Sequence, residues 1–427
     1  MFKVLLISYY FPPMGLSGVQ RSLKFSKYLK QLNWEPTILT AGDTGYFAHD
    51  NSLLKEAEDA QLRIERVGGK DIHSKLAKKG TIKMPSEIIR KTLSSLSKTF
   101  FIPDNKVSWA NQAYKRAKEI LKEEKHDLIF VSCPPFSSFM MAANLKKEFD
   151  LPLFVDYRDL WYGNQFEFMP TPYHKMKHKD YEYQSLKAAD RVIAVNRRIK
   201  EYLIKQYEFL TFDDITIIPH GFDPADFENA KPIPKQNNKL ILTYSGIFYE
   251  FVTPVYLLKA FKKLSIERPD IAANYELHFV GYLRKENKKL INRLELQEFV
   301  RDHGYLEHRD AIVKIISSDV LWTMLGKNHS THTITPGKVF EYIGTRKPIL
   351  GCVPDGAAKT ALEEYGASFI VPPDDINAIM NALIKINELY KKNMLPQPNE
   401  EFIERHDRSK LTEQLAKQFQ FFLKEED

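Results

Sequence analysis

Cysteine is scarce. The 427 residues hold two, Cys133 and Cys352, far apart and in apolar surroundings. Neither has metal-site or redox spacing, which argues for buried thiols in a reducing compartment rather than a disulfide. Long apolar runs are lacking as well. The opening Met1-Phe2-Lys3-Val4-Leu5-Leu6-Ile7-Ser8 is too short for a secretory signal and runs into Pro12-Pro13. No stretch has the length and hydrophobicity of a membrane-crossing helix, so a cytoplasmic protein is expected. The 18 glycines nowhere fall into the G-x-G-x-x-G spacing of a dinucleotide fingerprint. Neither charge dominates: 62 Lys and Arg against 55 Asp and Glu leave +7. That mild excess permits an anionic ligand or membrane surface without requiring one, and no nucleic-acid partner is expected.

What is present is length and alternation. The chain exceeds one ordinary core, so two domains are the default. Short apolar runs alternate with helical patterns, as in a parallel sheet covered on both faces. The first half offers strands at Val4–Ser8, Pro36–Thr40, Leu128–Ser132, Leu153–Asp156 and Val192–Val195. The second offers Leu240–Tyr244, Leu277–Val280, Val320–Thr323, Pro348–Cys352 and Ser368–Val371, with helices such as Val255–Leu264 and Ile376–Leu389 between them. The polar, proline-bearing stretch 229–239 reads as a linker between domains at 1–228 and 240–400. A helical region at 401–427 is expected to pack back toward the first domain. The fold expected is α/β, two similar doubly wound domains facing across a cleft, with ligands beyond the carboxyl ends of the strands.

The richest stretch is Thr335-Pro336-Gly337-Lys338-Val339-Phe340-Glu341, followed by an apolar run ending at Gly351. It reads as a loop, a proline-started helix carrying a carboxylate, and a buried strand. Free N–H groups at such a helix start attract phosphate, and Glu341 is placed to accept hydrogen bonds from a sugar diol. Any helix–strand unit of an α/β protein could look like this. Earlier, Gly18 opens the first helix after a loop at Tyr9–Ser17, and Arg21 falls in its first turn, able to meet an anion. The plain alternative is a strand-to-helix turn. At Val155-Asp156-Tyr157-Arg158-Asp159-Leu160-Trp161 two carboxylates and a guanidinium gather at a strand end, where acid, base or orienting groups belong. There the alternative is a surface ion pair, or Asp159 as a helix cap.

In order along the chain, the Gly18 loop, the Asp156–Trp161 run, Ile218–Asp223, Gly246, Gly281, Tyr305–Leu306 and Pro336–Glu341 resemble the motifs of the retaining "group 1" glycosyltransferases of GT-B fold. That resemblance implies two Rossmann-like domains and transfer of a hexosyl or N-acetylhexosaminyl group. The donor would be a nucleoside diphosphate sugar, the acceptor a saccharide or lipid-linked saccharide, the setting surface-polysaccharide assembly. It assigns donor contacts to Gly18, Arg21, Gly246, Gly281, Tyr305, Leu306, Thr335, Pro336, Gly337, Lys338 and Glu341, and catalysis to Asp159 and Arg158. It implies no cofactor and no metal, and no Asp-x-Asp occurs in the chain. Two departures stand out. Residues 247–258 contain no Lys or Arg, where many members of this family place a basic pair, so either the charge is met elsewhere, with Lys338, Arg21 and Arg346 as candidates, or the donor is held differently. Thr333 stands where a second Glu is common. An epimerase of the same shape, or a module that binds nucleotide sugar without turnover, remains the alternative.

Ser86 to Phe101 reads as an amphipathic helix, with Ile88, Ile89, Leu93, Leu96 and Phe100 on one face and lysines from Lys70 onward around it. Basic and amphipathic together suggest that 70–101 meets an anionic membrane surface, peripheral on the inner face. The alternative is a solvated helix packed on its domain. Around Phe166–Lys179 a loop followed by a solvated helix face is favoured.

Overall fold

The computed structural model of the protein describes residues 1–42, 45–68, 87–164, 168–228, 230–328 and 330–425, with backbone alone at 87–91 and 424–425. The chain divides into two compact units, Met1–His220 with Arg408–Asp427, and Gly221–Asp407.

The first unit is built on strands β1 (Phe2–Ile7), β2 (Trp34–Ala41), β3 (Arg63–Val67), β4 (Leu128–Cys133), β5 (Leu153–Tyr157), β6 (Arg191–Ala194) and β7 (Ile215–Ile217). They lie side by side in the order β3-β2-β1-β4-β5-β6-β7, all parallel. The central strands are buried along most of their length, as their continuous aliphatic runs require when helices cover both faces. The order reverses between β1 and β4, so the chain beyond both strand ends opens a natural ligand crevice. The second unit repeats the plan with β8 (Leu240–Ser245), β9 (Tyr275–Val280), β10 (Val300–Gly304), β11 (Val320–Met324), β12 (Ile349–Cys352) and β13 (Ser368–Val371), ordered β10-β9-β8-β11-β12-β13. Its switch point lies between β8 and β11. The two doubly wound α/β units match the fold class read from the sequence.

Side-chain oxygens start several helices. Asp50, Thr171, Asn196, Asp375 and Asn399 each accept a hydrogen bond from the backbone N–H three residues on. Three strands escape the sequence pattern: Arg63–Val67, Ile215–Ile217 and Val300–Gly304. All are edges of their sheets. Arg63–Val67 and Val300–Gly304 carry charge, as edge strands do, which erases the apolar run, and Ile215–Ile217 is only three residues long.

The polar stretch read as a linker is otherwise placed. The chain passes between units at His220 and Gly221, and Phe222 already lies in the second core. Downstream, Ile233 N–H donates to Ser317 Oγ (2.8 Å) and Lys235 pairs with Asp319 (2.7 Å), so this segment straps the second unit. Its polarity serves surface pairing rather than freedom. The C-terminal region splits. Helix Glu400–Arg405 stays with the second unit, and helix Arg408–Glu425 returns to the first. There Phe419 is fully buried, its ring 5.2 Å from Trp34, 5.5 Å from Phe130 and 4.8 Å from Phe154. Among the described residues no helix is long and apolar enough to cross a membrane.

Candidate functional site

In the second unit the ends of β8, β9 and β10 come together through glycine backbone. Gly246 N–H donates to the Val280 carbonyl and Gly281 N–H to the Gly304 carbonyl, each at 2.7 Å. Gly281 has φ +125°, and a Cβ there would stand 2.0 Å from the Gly246 carbonyl oxygen. No other residue fits, because L side chains avoid that backbone region and the space is occupied. Gly246, at φ +141°, is held equally open.

Helix Gly337–Gly344 lies across this strand end. Pro336 takes the cap position and the helix starts one residue later than read from the sequence. Tyr342 pins it: its hydroxyl oxygen accepts from Ser245 N–H at 2.7 Å. One turn earlier, Lys338 lays its ammonium over the Tyr244 ring, 3.6 Å from the centroid, and a Cβ on Gly246 would meet Nζ at 3.2 Å. Among the described residues no carboxylate pairs with Lys338. Burial pushes its pKa well below the ordinary lysine range, and the charge of Glu341 pulls the other way. A half-buried cation held on an aromatic face beside an open glycine turn is suited to an arriving anion.

Glu341 is largely buried, its side chain 15% exposed, with Oε1 3.8 Å from His308 Nδ1. The other ring nitrogen of His308 lies 3.0 Å from Asp226 Oδ2. His308 thus stands between two carboxylates from distant parts of the chain. It lies two residues after Leu306, which the sequence singled out with Tyr305, yet nothing in spacing links it to position 341. Tyr305 stacks on Tyr282 with centroids 5.4 Å apart and planes 11° from parallel. Leu306 is half-buried beside it and Thr335 is buried. Thr333 is buried, and its hydroxyl donates to the Ser330 carbonyl at 3.0 Å.

Two expected cations are engaged otherwise. Arg21 is buried, and its guanidinium grips Asp156 from two sides, with Nε 2.9 Å from Oδ2 and Nη2 2.8 Å from Oδ1. Its remaining donors reach the carbonyls of Ile218 and Pro219, each at 2.9 Å. Ser132 completes the set with a 2.7 Å bond to Asp156. The expectation that Arg21 meets a phosphate is corrected: it ties a helix, two strand ends and the segment after β7 together. Arg346 forms an exposed pair with Glu400 at 3.1 Å.

In the first unit, Arg158 follows β5 and donates to three backbone carbonyls, those of Gly18, Cys133 (3.2 Å) and Pro134 (2.7 Å). Carbonyls orient a guanidinium without neutralising it, so the ends of β1, β4 and β5 share a positive charge. At Gly18 a Cβ would meet only Arg158 Nη1, at 3.6 Å, an ordinary contact. Trp161 stacks on Phe136, centroids 5.0 Å apart, and donates its indole N–H to His178 at 3.0 Å. Asp156, Arg158 and Trp161 are therefore built into the fold, and Asp159 sits partly exposed among them. Sequence reading missed Asp104, which accepts from Ser137 N–H and Oγ (2.9 Å each) at the start of helix Ser137–Phe149. Burial raises its pKa despite these bonds. Near it, Lys106 lies over the Tyr9 ring, 4.8 Å from the centroid.

The model of Glycosyltransferase Family 4 matches residues 17–226, slightly under half of the chain. No curated protein sequence matches it. Among solved structures, a glycosyltransferase from Rickettsia africae ESF-5 aligns over 99% of both chains at 16% identity and TM-score 0.68. HepE of Anabaena, solved with UDP and glucose, aligns over 98% of this chain and 100% of its own at 16% identity and TM-score 0.66. Sucrose-phosphate synthase of Thermosynechococcus elongatus aligns over 99% of both at 14% identity and TM-score 0.66. Residues 17–226 thus match the model of Glycosyltransferase Family 4, and the whole chain has the two-domain GT-B fold.

Proposed function

We propose that this protein moves a sugar from a nucleoside diphosphate donor to a saccharide or lipid-linked saccharide acceptor, with retention of configuration, in cytoplasmic assembly of surface polysaccharide. The observation that carries this reading is Lys338, a cation without a carboxylate partner among the described residues, lying beside the Gly246 turn and one helical turn before Glu341. In this reading Gly246 and Gly281 admit the diphosphate close to backbone. Lys338 replaces the basic pair missing from 247–258, and Glu341 takes the ribose hydroxyls. Tyr305 and Leu306 flank the base, and Thr335, Pro336 and Gly337 shape the phosphate loop. Developing charge on the leaving diphosphate is met by these fixed dipoles and the ammonium, without a divalent metal. The UDP and UDP-glucose complexes of HepE support a uridine donor. On the first unit, Asp159 orients or deprotonates the acceptor hydroxyl, and Arg158 holds the Gly18 turn.

Purified protein with a panel of nucleotide sugars and excess chelator should release free nucleoside diphosphate only when a saccharide acceptor is added. Glu341→Gln should weaken nucleoside diphosphate by about 1–2 kcal/mol, a charged hydrogen bond's worth. Asp159→Asn should lower turnover ~10²–10⁴-fold with nucleotide affinity intact. Epimerised donor without acceptor, or turnover that needs manganese or magnesium, would sink the reading. A module that binds without turnover is favoured by one observation, the buried Thr333 with its hydroxyl engaged in its own turn. Tight nucleotide binding with no release on any acceptor would establish it.

A further inference from the structure

Over residues 92–100, where its side chains are described, helix Glu87–Phe100 turns large apolar groups to water. Leu93, Leu96 and Phe100 fall at three- and four-residue steps, the stripe a surface helix ordinarily buries. Here Leu93 is 57% exposed, Leu96 52% and Phe100 76%. The small polar residues Ser94, Ser95 and Ser97 are the half-buried ones. The packed-helix alternative from the sequence predicts the reverse. A second helix adjoins it: the His174 ring lies 3.1 Å from the Thr99 carbonyl oxygen. That helix, Pro172–Ala188, buries His174, Glu182, Ser185 and Leu186 and leaves Tyr173, Met176 and Tyr183 exposed at 55%, 58% and 44%. Scattered surface apolar groups are ordinary, but six large ones on two hydrogen-bonded helices are not.

Charge indicates what covers them. Lys175, Lys179 and Lys187 are exposed and Lys177 partly so. Glu182 is buried and accepts from the Tyr157 and Tyr207 hydroxyls, which leaves Asp180 as the acid of this helix outside the core. We propose that the two helices form a docking surface for an anionic lipid bilayer, with the leucines, Phe100 and Met176 entering the interface and the lysines meeting headgroup phosphates. A bilayer supplies both partners that this face lacks, apolar chains and negative charge. A second copy of the chain would set lysine against lysine. Residues 69–86, outside the described part, carry five lysines and one aspartate and share the sign of this face. The proposal goes beyond the donor chemistry and stands without it.

The test is sedimentation of the full chain with vesicles of equal phosphatidylglycerol and phosphatidylcholine, against phosphatidylcholine alone. Binding to the anionic vesicles is expected, weakened several-fold by added salt and nearly absent on phosphatidylcholine. A Leu93→Ser, Leu96→Ser, Phe100→Ser variant should lose at least tenfold in binding. A Lys175→Glu, Lys179→Glu variant should lose binding and most of its salt dependence. Thermal melting and nucleotide affinity should stay unchanged in both, since the side chains are exposed and none belongs to the residues assigned to the nucleotide. Equal binding to both vesicle types would overturn the proposal. So would wild-type binding by the serine variant, or a dimer in velocity sedimentation that the serine variant dissolves while vesicle binding persists.

Discussion

Burial holds the Lys338 ammonium well below the usual lysine range, with Glu341 alone opposing. In the pH window between that depressed value and about 10.4, where a free lysine titrates, the unfolded chain binds more protons than the folded one. Folding stability therefore rises with pH across the window, and an anion arriving at Nζ favours the charged form. Calorimetry in two buffers of different ionisation enthalpy should show proton uptake when nucleoside diphosphate binds and none when nucleoside binds. Lys338→Ala should abolish the uptake and weaken the diphosphate far more than the nucleoside. Equal losses for both ligands would remove Lys338 from the diphosphate site. The sequence places Lys338 and Arg21 alike, each in the first turn of a helix after a glycine-bearing loop. It cannot distinguish them, because the carboxylate that captures Arg21 lies 135 residues away. Glu341 is legible from its distance to Pro336, whereas His308 and Asp226 reach it only through the fold.

Among the elements, the final helix fills part of the first unit's core. Phe419 is wedged among three rings from β2, β4 and β5. Phe419→Ala should cost about 3–5 kcal/mol, the usual range for a buried aromatic, and lower the denaturation midpoint. An unchanged midpoint would mean that the helix is ornamental. The strands with uninterrupted aliphatic runs, such as Leu128–Cys133, are legible because burial on both faces demands such runs. Arg63–Val67 and Val300–Gly304 are not, since their ladders are completed by a neighbour on one side only and solvent dictates half of their side chains.

Across the whole molecule, several histidines in both units are held toward the neutral form by burial. His178 and His303 are each lowered to about 4 by burial, and His220 lies well below its usual range, with Arg21, Arg408 and Arg158 adding to desolvation. Free histidine titrates near 6.5, so below that pH the unfolded chain takes up protons that the folded chain refuses. The histidine contribution to stability should be level above about pH 7 and fall steadily from ~6.5 toward 4.5, by on the order of 2–4 kcal/mol. Melting curves between pH 7.5 and 4.5 would show it, and a midpoint constant over that interval would refute it. Two α/β units are evident in the sequence from alternation alone. Their boundary is not, because Asn237 and Lys235 look like linker residues until Glu276 and Asp319 are seen beneath them.

The first unit is interrupted and the second is not. During synthesis, residues 1–220 leave the ribosome without Leu411, Leu415 and Phe419, which belong to their core. At ~5–20 residues per second, roughly 190 further residues impose a wait of about 10–40 seconds. Within that interval the second unit, contiguous from Gly221 to Asp407, emerges complete. The half of the protein that is encoded first is thus the half that finishes last, and its unfilled sheet face is open to chaperones or to aggregation while it waits.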